Sequence, residues 1–270
     1  MTFGVIRTIA RSVFRESVRD KVLYNLVFFA VLLIAVSYLL SQLTAGQDIK
    51  VIKDLGLAAM SLFGLFIAVF IGIGLVSKEV EKRSIYSLLA KPIRRQEFVI
   101  GKYLGLLLTL LVNLAIMAIA YYAVLGAVAW MDGSWFRPHW EAPAVDPALL
   151  KAIAMIFLQL AIVVAIALFF STFSSPMLSA ALTFGLYVVG HFNADLKNFG
   201  TVIDSKPVAY VARALYYLLP NLAPLDVKSE VVHAVPVPGT YLLLNTAYAV
   251  VYVSLLVLAA TFIFARRDFK

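Results

Sequence analysis

The sequence predicts an all-α membrane protein of six transmembrane helices, with an amphipathic helix before the first span and an amphipathic cytoplasmic segment between the second and third. The first observation behind this fold class is composition: of 270 residues, 63% are hydrophobic and only 14% are charged. Soluble domains are about 45–50% apolar and about 25% charged. A mean hydropathy of +0.94 agrees, and together these values exclude a soluble globular protein.

Long runs without Asp, Glu, Lys or Arg are the second observation, because a bilayer requires about 17–25 such residues per helix. The run over residues 152–194 is long enough for two spans, and the Ser-Thr-Phe-Ser-Ser-Pro stretch at 171–176 supplies a turn between them. Within one domain, residues 1–270, the predicted spans are 23–42, 55–77, 103–130, 152–171, 177–194 and 241–265. Because a long basic segment precedes the first span, we do not expect it to be a cleaved signal sequence.

Charge sets the predicted orientation. Fifteen of the Lys and Arg residues fall in 1–22, 78–102 and 266–270, against eight on the other side of the membrane. Since the side richer in Lys and Arg is cytoplasmic, we expect a multi-pass protein of the cell (inner) membrane with both termini in the cytoplasm. Orientation and anionic lipid account for the net charge of +8, so no nucleic-acid partner is predicted.

The N-terminal residues 1–22 carry a stripe of arginines at a spacing of four, which places Arg7, Arg11, Arg15 and Arg19 on one helix face. Apolar residues occupy another face. This pattern predicts an interfacial helix in contact with membrane lipid. The alternative is that the arginines only orient the first span.

Residues 78–98 form the predicted amphipathic cytoplasmic segment. Ile85, Leu88 and Leu89 share one helix face, Pro92 ends this helix, and a second helix beginning near Arg94 runs into the third span. An ordinary loop would explain the charge of this segment but not its apolar stripe. The pattern therefore favours an element that docks into a groove of another protein.

The same residues carry a family resemblance. Glu79-Val-Glu81-Lys-Arg-Ser84, then Ser87-Leu-Leu-Ala-Lys-Pro92, then Arg94-Arg95-Gln-Glu97 and Gly101-Lys102 follow one another. This series resembles the E-x-E-x-G-T … L-L-x-x-P-x-S/T-R … G-K run of ABC-2 type transporter permeases. Arg83-Ser84 stands where the family has Gly-Thr. The predicted layout, including a proline-bearing external segment over 195–240, is similar too.

This resemblance implies that the segment is the coupling helix, docked into a separate ABC ATPase (nucleotide-binding) subunit. ATP and Mg²⁺ would be bound by that partner, and a second permease copy would complete a homodimer or heterodimer. The residues carried over as ATPase-coupling residues are Glu79, Glu81, Arg83, Ser84, Leu88, Leu89, Pro92, Arg94 and Arg95.

The chain lacks the motifs of an enzyme. No G-x-x-x-x-G-K-[ST] phosphate loop is present, since Gly101-Lys102 is followed by Tyr103. Cysteine is absent and the three histidines have no metal-ligand spacing. We therefore expect no catalytic residue, metal site or cofactor in this chain. His191 is either part of an outer polar cluster or a histidine that anchors a span at the interface.

Polar side chains inside the spans are the candidates for a translocation path: Asn113, Gln159 and Asn245. The alternative is that they bond neighbouring helices. The span centres contain no Asp, Glu, Lys or Arg, which disfavours an ion-coupled antiporter and favours an external energy source. The sequence thus predicts the permease subunit of an ATP-driven exporter. The alternative is a non-transporting membrane scaffold that recruits a soluble cytoplasmic partner.

Overall fold

A computed structural model describes residues 2–42, 48–81, 94–131, 143–192 and 206–266. Over these ranges the chain is helical, without a β-strand, which confirms the predicted all-α class. A 3-10 turn, Ala223–Leu225, lies between the seventh and eighth helices. The α-helices are α1 (Thr2–Ser17), α2 (Lys21–Ser41), α3 (Asp48–Glu81), α4 (Arg95–Met131), α5 (Leu149–Ser171), α6 (Pro176–His191), α7 (Lys206–Leu218), α8 (Lys228–Val232) and α9 (Gly239–Arg266).

Among the described residues, five helices are long and apolar enough to cross a membrane, and the prediction of six spans is not confirmed. These five are α2, the part of α3 at Ile49–Ile73, α4, α5 and α9. The predicted fifth span corresponds to α6, which has 16 residues. At 1.5 Å per residue, a helix of this length reaches about 24 Å, less than the roughly 30 Å of a hydrocarbon core. The predicted turn is present, since α5 ends at Ser171 and α6 begins at Pro176.

Helix α5 lies at the centre of the bundle. It is apolar on all sides, as expected for a helix buried all round, and it packs against α3, α4, α6 and α9. Every residue from Gln159 to Leu168 is buried. Two glycines of α3 allow the close approach: Gly64 meets the side chain of Leu160, and a Cβ added to Gly72 would lie 2.6 Å from the Cβ of Ala167.

Helix α1 packs along the first turns of α4. A Cβ added to Gly101 would lie 2.9 Å from the Cβ of Ile9, and one added to Gly105 would lie 2.7 Å from the backbone oxygen of Ala10. Val13 is buried at the same contact. These five residues form the α1–α4 seam. The arginines at 7, 11 and 15 are exposed on α1, and the arginine at 19 is exposed in the following turn.

Residues 219–238, the part of the chain just before α9, fold back onto the bundle at the end that the charge distribution predicts to be outside. The amide of Leu222 donates to the carbonyl of Gly190 at the end of α6 (2.9 Å), and the hydroxyl of Tyr241 donates to the carbonyl of Pro224 (2.8 Å). Helix α8 packs on α3 and α5. Its residues Val231 and Val232 are buried there, so this segment covers the outer ends of both helices.

Candidate functional site

Of the predicted coupling segment, the structure describes the two ends. Glu79 and Glu81 lie in the last turn of α3, of which the structure gives the backbone. Arg94 precedes α4 and Arg95 is its first residue, so a helix beginning near Arg94 does continue into the predicted third span. The remaining predicted coupling residues, Arg83, Ser84, Leu88, Leu89 and Pro92, lie outside the described residues.

Glu97 caps the first turn of α4. Its carboxylate accepts a hydrogen bond from the backbone amide of Arg94 (3.4 Å), and its side chain is buried. A Glu three residues into a helix that reaches back to the start of the helix is half of a capping box. The acidic group also lies where the helix dipole favours negative charge. The sequence therefore fixes the point at which α4 begins.

Arg95 joins this first turn to the end of α9. Its Nη1 donates to the carbonyl of Phe264 (3.2 Å) and to that of Ala265 (3.0 Å). The last four carbonyls of a helix have no partner within the helix, and a cation there also favours the dipole. The ring of Phe98 stacks on that of Phe264, with centroids 5.7 Å apart and planes at 21°. We call these four residues the α4–α9 junction.

Lys102 lies one turn after Phe98 on α4 and packs on its ring. Only 1% of the residue is exposed, and its Nζ lies 4.6 Å from the centroid of the Phe98 ring, a cation–π distance. The α1–α4 seam begins at the neighbouring Gly101. The first three turns of α4 are therefore held by α9 on one side and by α1 on another, immediately after the predicted coupling segment.

The three predicted path residues make separate contacts. Asn113 is buried and donates to the carbonyl of Thr109 in its own helix (2.6 Å), and Asn245 is half-buried and donates to that of Tyr241 (2.9 Å). Gln159 alone bonds another helix, with its Nε2 2.7 Å from the Nε2 of His191. No hydrogen bond of the described residues joins one of the three to another.

A cavity of about 460 Å³, with several charged residues in its lining, opens at the predicted outer end. Lys228 forms an ion pair with Asp226 there, with 3.2 Å between Nζ and Oδ2. The lining residues are Asp54, Ala58, His191, Ala223, Asp226, Lys228, Ser229 and Glu230. None of the three predicted path residues is among them. Sequence reasoning found His191 but missed the charged residues around it, because they come from α3 and from the segment around α8, far apart in the chain.

One family model, described as ABC-2 family transporter protein, matches residues 7–269 of this chain. The chain belongs to the ABC-2 transporter family. No curated protein matches it. Membership covers nearly the whole chain, α1 to α9, and confirms the family resemblance predicted from the sequence. The chain is thus a multi-pass membrane protein of an ABC transporter, and the family implies partnership with an ABC ATPase subunit.

The seam and the junction give this chain a defined local geometry at the base of α4. The predicted coupling residues Arg94 and Arg95 are neighbours in sequence, yet only Arg95 belongs to the junction. A buried Lys at position 102 and the ring pair of Phe98 and Phe264 were not predicted. In the sequence, the two arginines at 94–95 and the Gly-Lys pair at 101–102 pointed to this region.

Proposed function

We propose that this chain is the permease subunit of an ATP-driven exporter. A separate nucleotide-binding subunit binds ATP and Mg²⁺ and hydrolyses the nucleotide, residues 78–98 receive the resulting movement, and substrate passes out of the cell. The chain itself catalyses no reaction. Family membership supports the role of permease, and the lack of a phosphate loop in the sequence supports a separate ATPase.

The observation that carries the proposal is the way in which α4 is held directly after the coupling segment. Arg95 binds the end of α9, and Gly101 and Gly105 pack on α1. Helix α4 then continues without interruption for 37 residues. Because three helices are joined at this point, a displacement of residues 78–98 is transmitted to all three instead of being absorbed by a loose connection.

The burial of α5 supports a transport path between subunits. The centre of the bundle is filled by α5, whose residues from Gln159 to Leu168 are buried. Apolar side chains of α2, by contrast, are largely exposed, among them Phe28 at 61% and Leu39 at 64%. In our proposal a second permease copy, identical or similar, and membrane lipid cover such faces, and the substrate passes along the interface between the two copies.

A double substitution in the coupling segment tests the proposal. Glu81→Lys together with Leu88→Asp reverses one charge and places another on the apolar stripe, so ATPase docking should fail. We expect co-purification of the ATPase subunit to be lost, whereas the amount of permease in the membrane stays the same. The control is Glu230→Lys, which makes the same charge reversal as Glu81→Lys but at the predicted outer end, and which should leave co-purification intact.

Retention of the ATPase by the double variant would contradict the coupling role of residues 78–98. The identity of the partner separates the two hypotheses drawn from the sequence. A partner whose ATPase activity rises on binding the permease supports the exporter. A stoichiometric partner without a phosphate loop would instead support a scaffold.

A further inference from the structure

The contact between Gln159 of α5 and His191 of α6 defines which nitrogen of the histidine carries a proton. The Nδ1 of His191 lies 2.8 Å from the carbonyl oxygen of Tyr187. A carbonyl can only accept, so Nδ1 must be protonated. In the neutral ring Nε2 is then an acceptor, and it faces the amide nitrogen of Gln159 at 2.7 Å. In the neutral pair, His191 is therefore the tautomer that carries its proton on Nδ1.

The amide of Gln159 is held at one end only. The residue is 0% exposed, and its Oε1 has no hydrogen-bond partner among the described residues. A half-turn about the last side-chain torsion exchanges Nε2 and Oε1, and this torsion has broad, two-fold preferences. That rotation breaks only the bond to His191. It then presents an acceptor to Nε2, which is what a protonated imidazole requires.

The protonated ring would therefore find a partner for each N–H, Tyr187 carbonyl on one side and Gln159 Oε1 on the other. Both bonds would be charge-assisted and stronger than their neutral counterparts. His191 also lies in the last turn of α6, where the helix dipole favours a cation. The half-buried ring lines the outer cavity, so a proton can reach it from that side.

Several charged groups line the same cavity as the ring. Asp54 from α3, and Asp226 and Glu230 from the segment around α8, line the cavity together with His191. Lys228 opposes them, but it is paired with Asp226. On α6 itself, Tyr187 lies against the imidazole with ring centroids 4.5 Å apart. Three carboxylates and one ammonium group therefore share this cavity with His191.

We propose that Gln159 and His191 form a proton-binding site at the outer cavity, in which rotation of the Gln159 amide accompanies protonation of the ring. The bond between Gln159 and His191 joins the central helix α5 to α6 in both protonation states. Gln159 donates this bond when the ring is neutral and accepts it when the ring is protonated. Its ligand is a proton from the solution on that side of the membrane. This proposal does not depend on the ATPase partner.

Nitrogen NMR of the full-length chain in lipid nanodiscs tests the site directly. Histidine is labelled on both ring nitrogens and glutamine on its side-chain amide, and the sample is titrated from about pH 8.5 to about pH 5.5, which spans the range in which imidazoles protonate. At the alkaline end we expect the proton of His191 on Nδ1. On acidification both ring nitrogens become protonated, and the amide signal of Gln159 shifts with the same midpoint.

Two variants sharpen the test. Gln159→Met keeps the bulk but removes the acceptor, so His191 should bind its proton less tightly and its titration midpoint should move to lower pH. Asn113→Leu is the matched control, since this buried amide bonds only its own helix, and His191 should titrate in it as in the wild type. His233, which bonds the carbonyl of Ser229 but is exposed, is an internal reference that neither substitution should affect.

Any of three results would overturn the proposal: a neutral His191 with its proton on Nε2, a Gln159 signal that does not change during the titration, or equal midpoints in wild type and Gln159→Met. The first two are read from the wild-type chain. They decide the question even if a substitution at Gln159 prevents folding.

Discussion

Two adjacent arginines at the base of α4 have different surroundings. The side chain of Arg94 is exposed, whereas the guanidinium of Arg95 donates to two carbonyls at the end of α9. The family resemblance assigned both residues to ATPase docking. Their contacts differ: Arg95 binds the end of another helix of this chain, whereas the side chain of Arg94 lies on the surface.

Arg95→Met should destabilise the permease. Methionine keeps much of the apolar stem but removes the donors, and a hydrogen bond that involves a charged group contributes about 1.5–3 kcal/mol. We expect a loss of this order, measured as a lower midpoint of thermal unfolding in detergent or nanodiscs. The junction would then remain only through the stacked rings of Phe98 and Phe264.

Arg94→Met is the matched substitution for this measurement, one residue away and of the same chemistry. Its unfolding midpoint should stay close to that of the wild type, while co-purification of the ATPase should weaken. Equal loss of stability in both variants would show that the contact of Arg95 with α9 does not hold the junction together.

At the scale of helices, the α1–α4 seam depends on the absence of side chains at two positions of α4. Gly105→Ala would place a Cβ 2.7 Å from the backbone oxygen of Ala10 and equally close to Val13. Backbone cannot move aside as the end of a flexible side chain can, and overpacking of this kind costs about 1–3 kcal/mol. We expect Gly105→Ala to lower the midpoint of thermal unfolding.

Gly126→Ala provides the control within the same helix. No atom lies within 4 Å of a Cβ added there. Because alanine favours a helix over glycine by about 1 kcal/mol, this variant should be as stable as the wild type or more so. If Gly105→Ala were equally well tolerated, close packing of α1 on α4 would be refuted.

Much of the helical architecture could be predicted because apolar runs are a local property of the sequence. Their lengths indicated the helices α2 to α5 and α9, and Ser171 and Pro176 marked the turn before α6. Which helix packs on Gly101 and Gly105 could not be predicted, because the partner α1 is separated from α4 by two other helices.

The candidate site was less predictable for the same reason. Gln159 and His191 each stood out as polar residues in apolar surroundings, but nothing local to either one indicates the other. Asp54, Asp226 and Glu230 meet only because the segment around α8 folds onto the end of α3. Arg95 was noticed for its charge, whereas its actual acceptors, the last carbonyls of α9, are backbone groups that a sequence does not display.

For the whole molecule, the excess of Lys and Arg at one end predicts that α1 and the start of α4 face the cytoplasm. The chain has no cysteine, so single cysteines can report this orientation. Ser12→Cys on α1 and Ser229→Cys on α8 are nearly isosteric substitutions at exposed positions at the two predicted ends. In sealed right-side-out vesicles, a membrane-impermeant maleimide should label Ser229→Cys at once, and Ser12→Cys only after the vesicles are opened.

The reverse pattern of labelling would place residues 78–98 on the side without ATP and would exclude their role in coupling. Equal labelling of both cysteines before opening would indicate leaky vesicles, which a lumenal dye reports independently. In that case the preparation is repeated until the dye is retained, so the outcome is decided by sealed vesicles alone.

The position of α4 between α1 and α9 also has a consequence for biogenesis. Helix α1 is synthesised well before α4. The apolar residues of α1 therefore remain at the membrane surface while the hydrophobic helices α2 and α3 are inserted. The acceptors of Arg95 are made later still, after every other described helix. Docking of α9 at the base of α4 is therefore among the last steps of assembly. Insertion intermediates that stop before α9 is made should be cleaved by proteases near the start of α4.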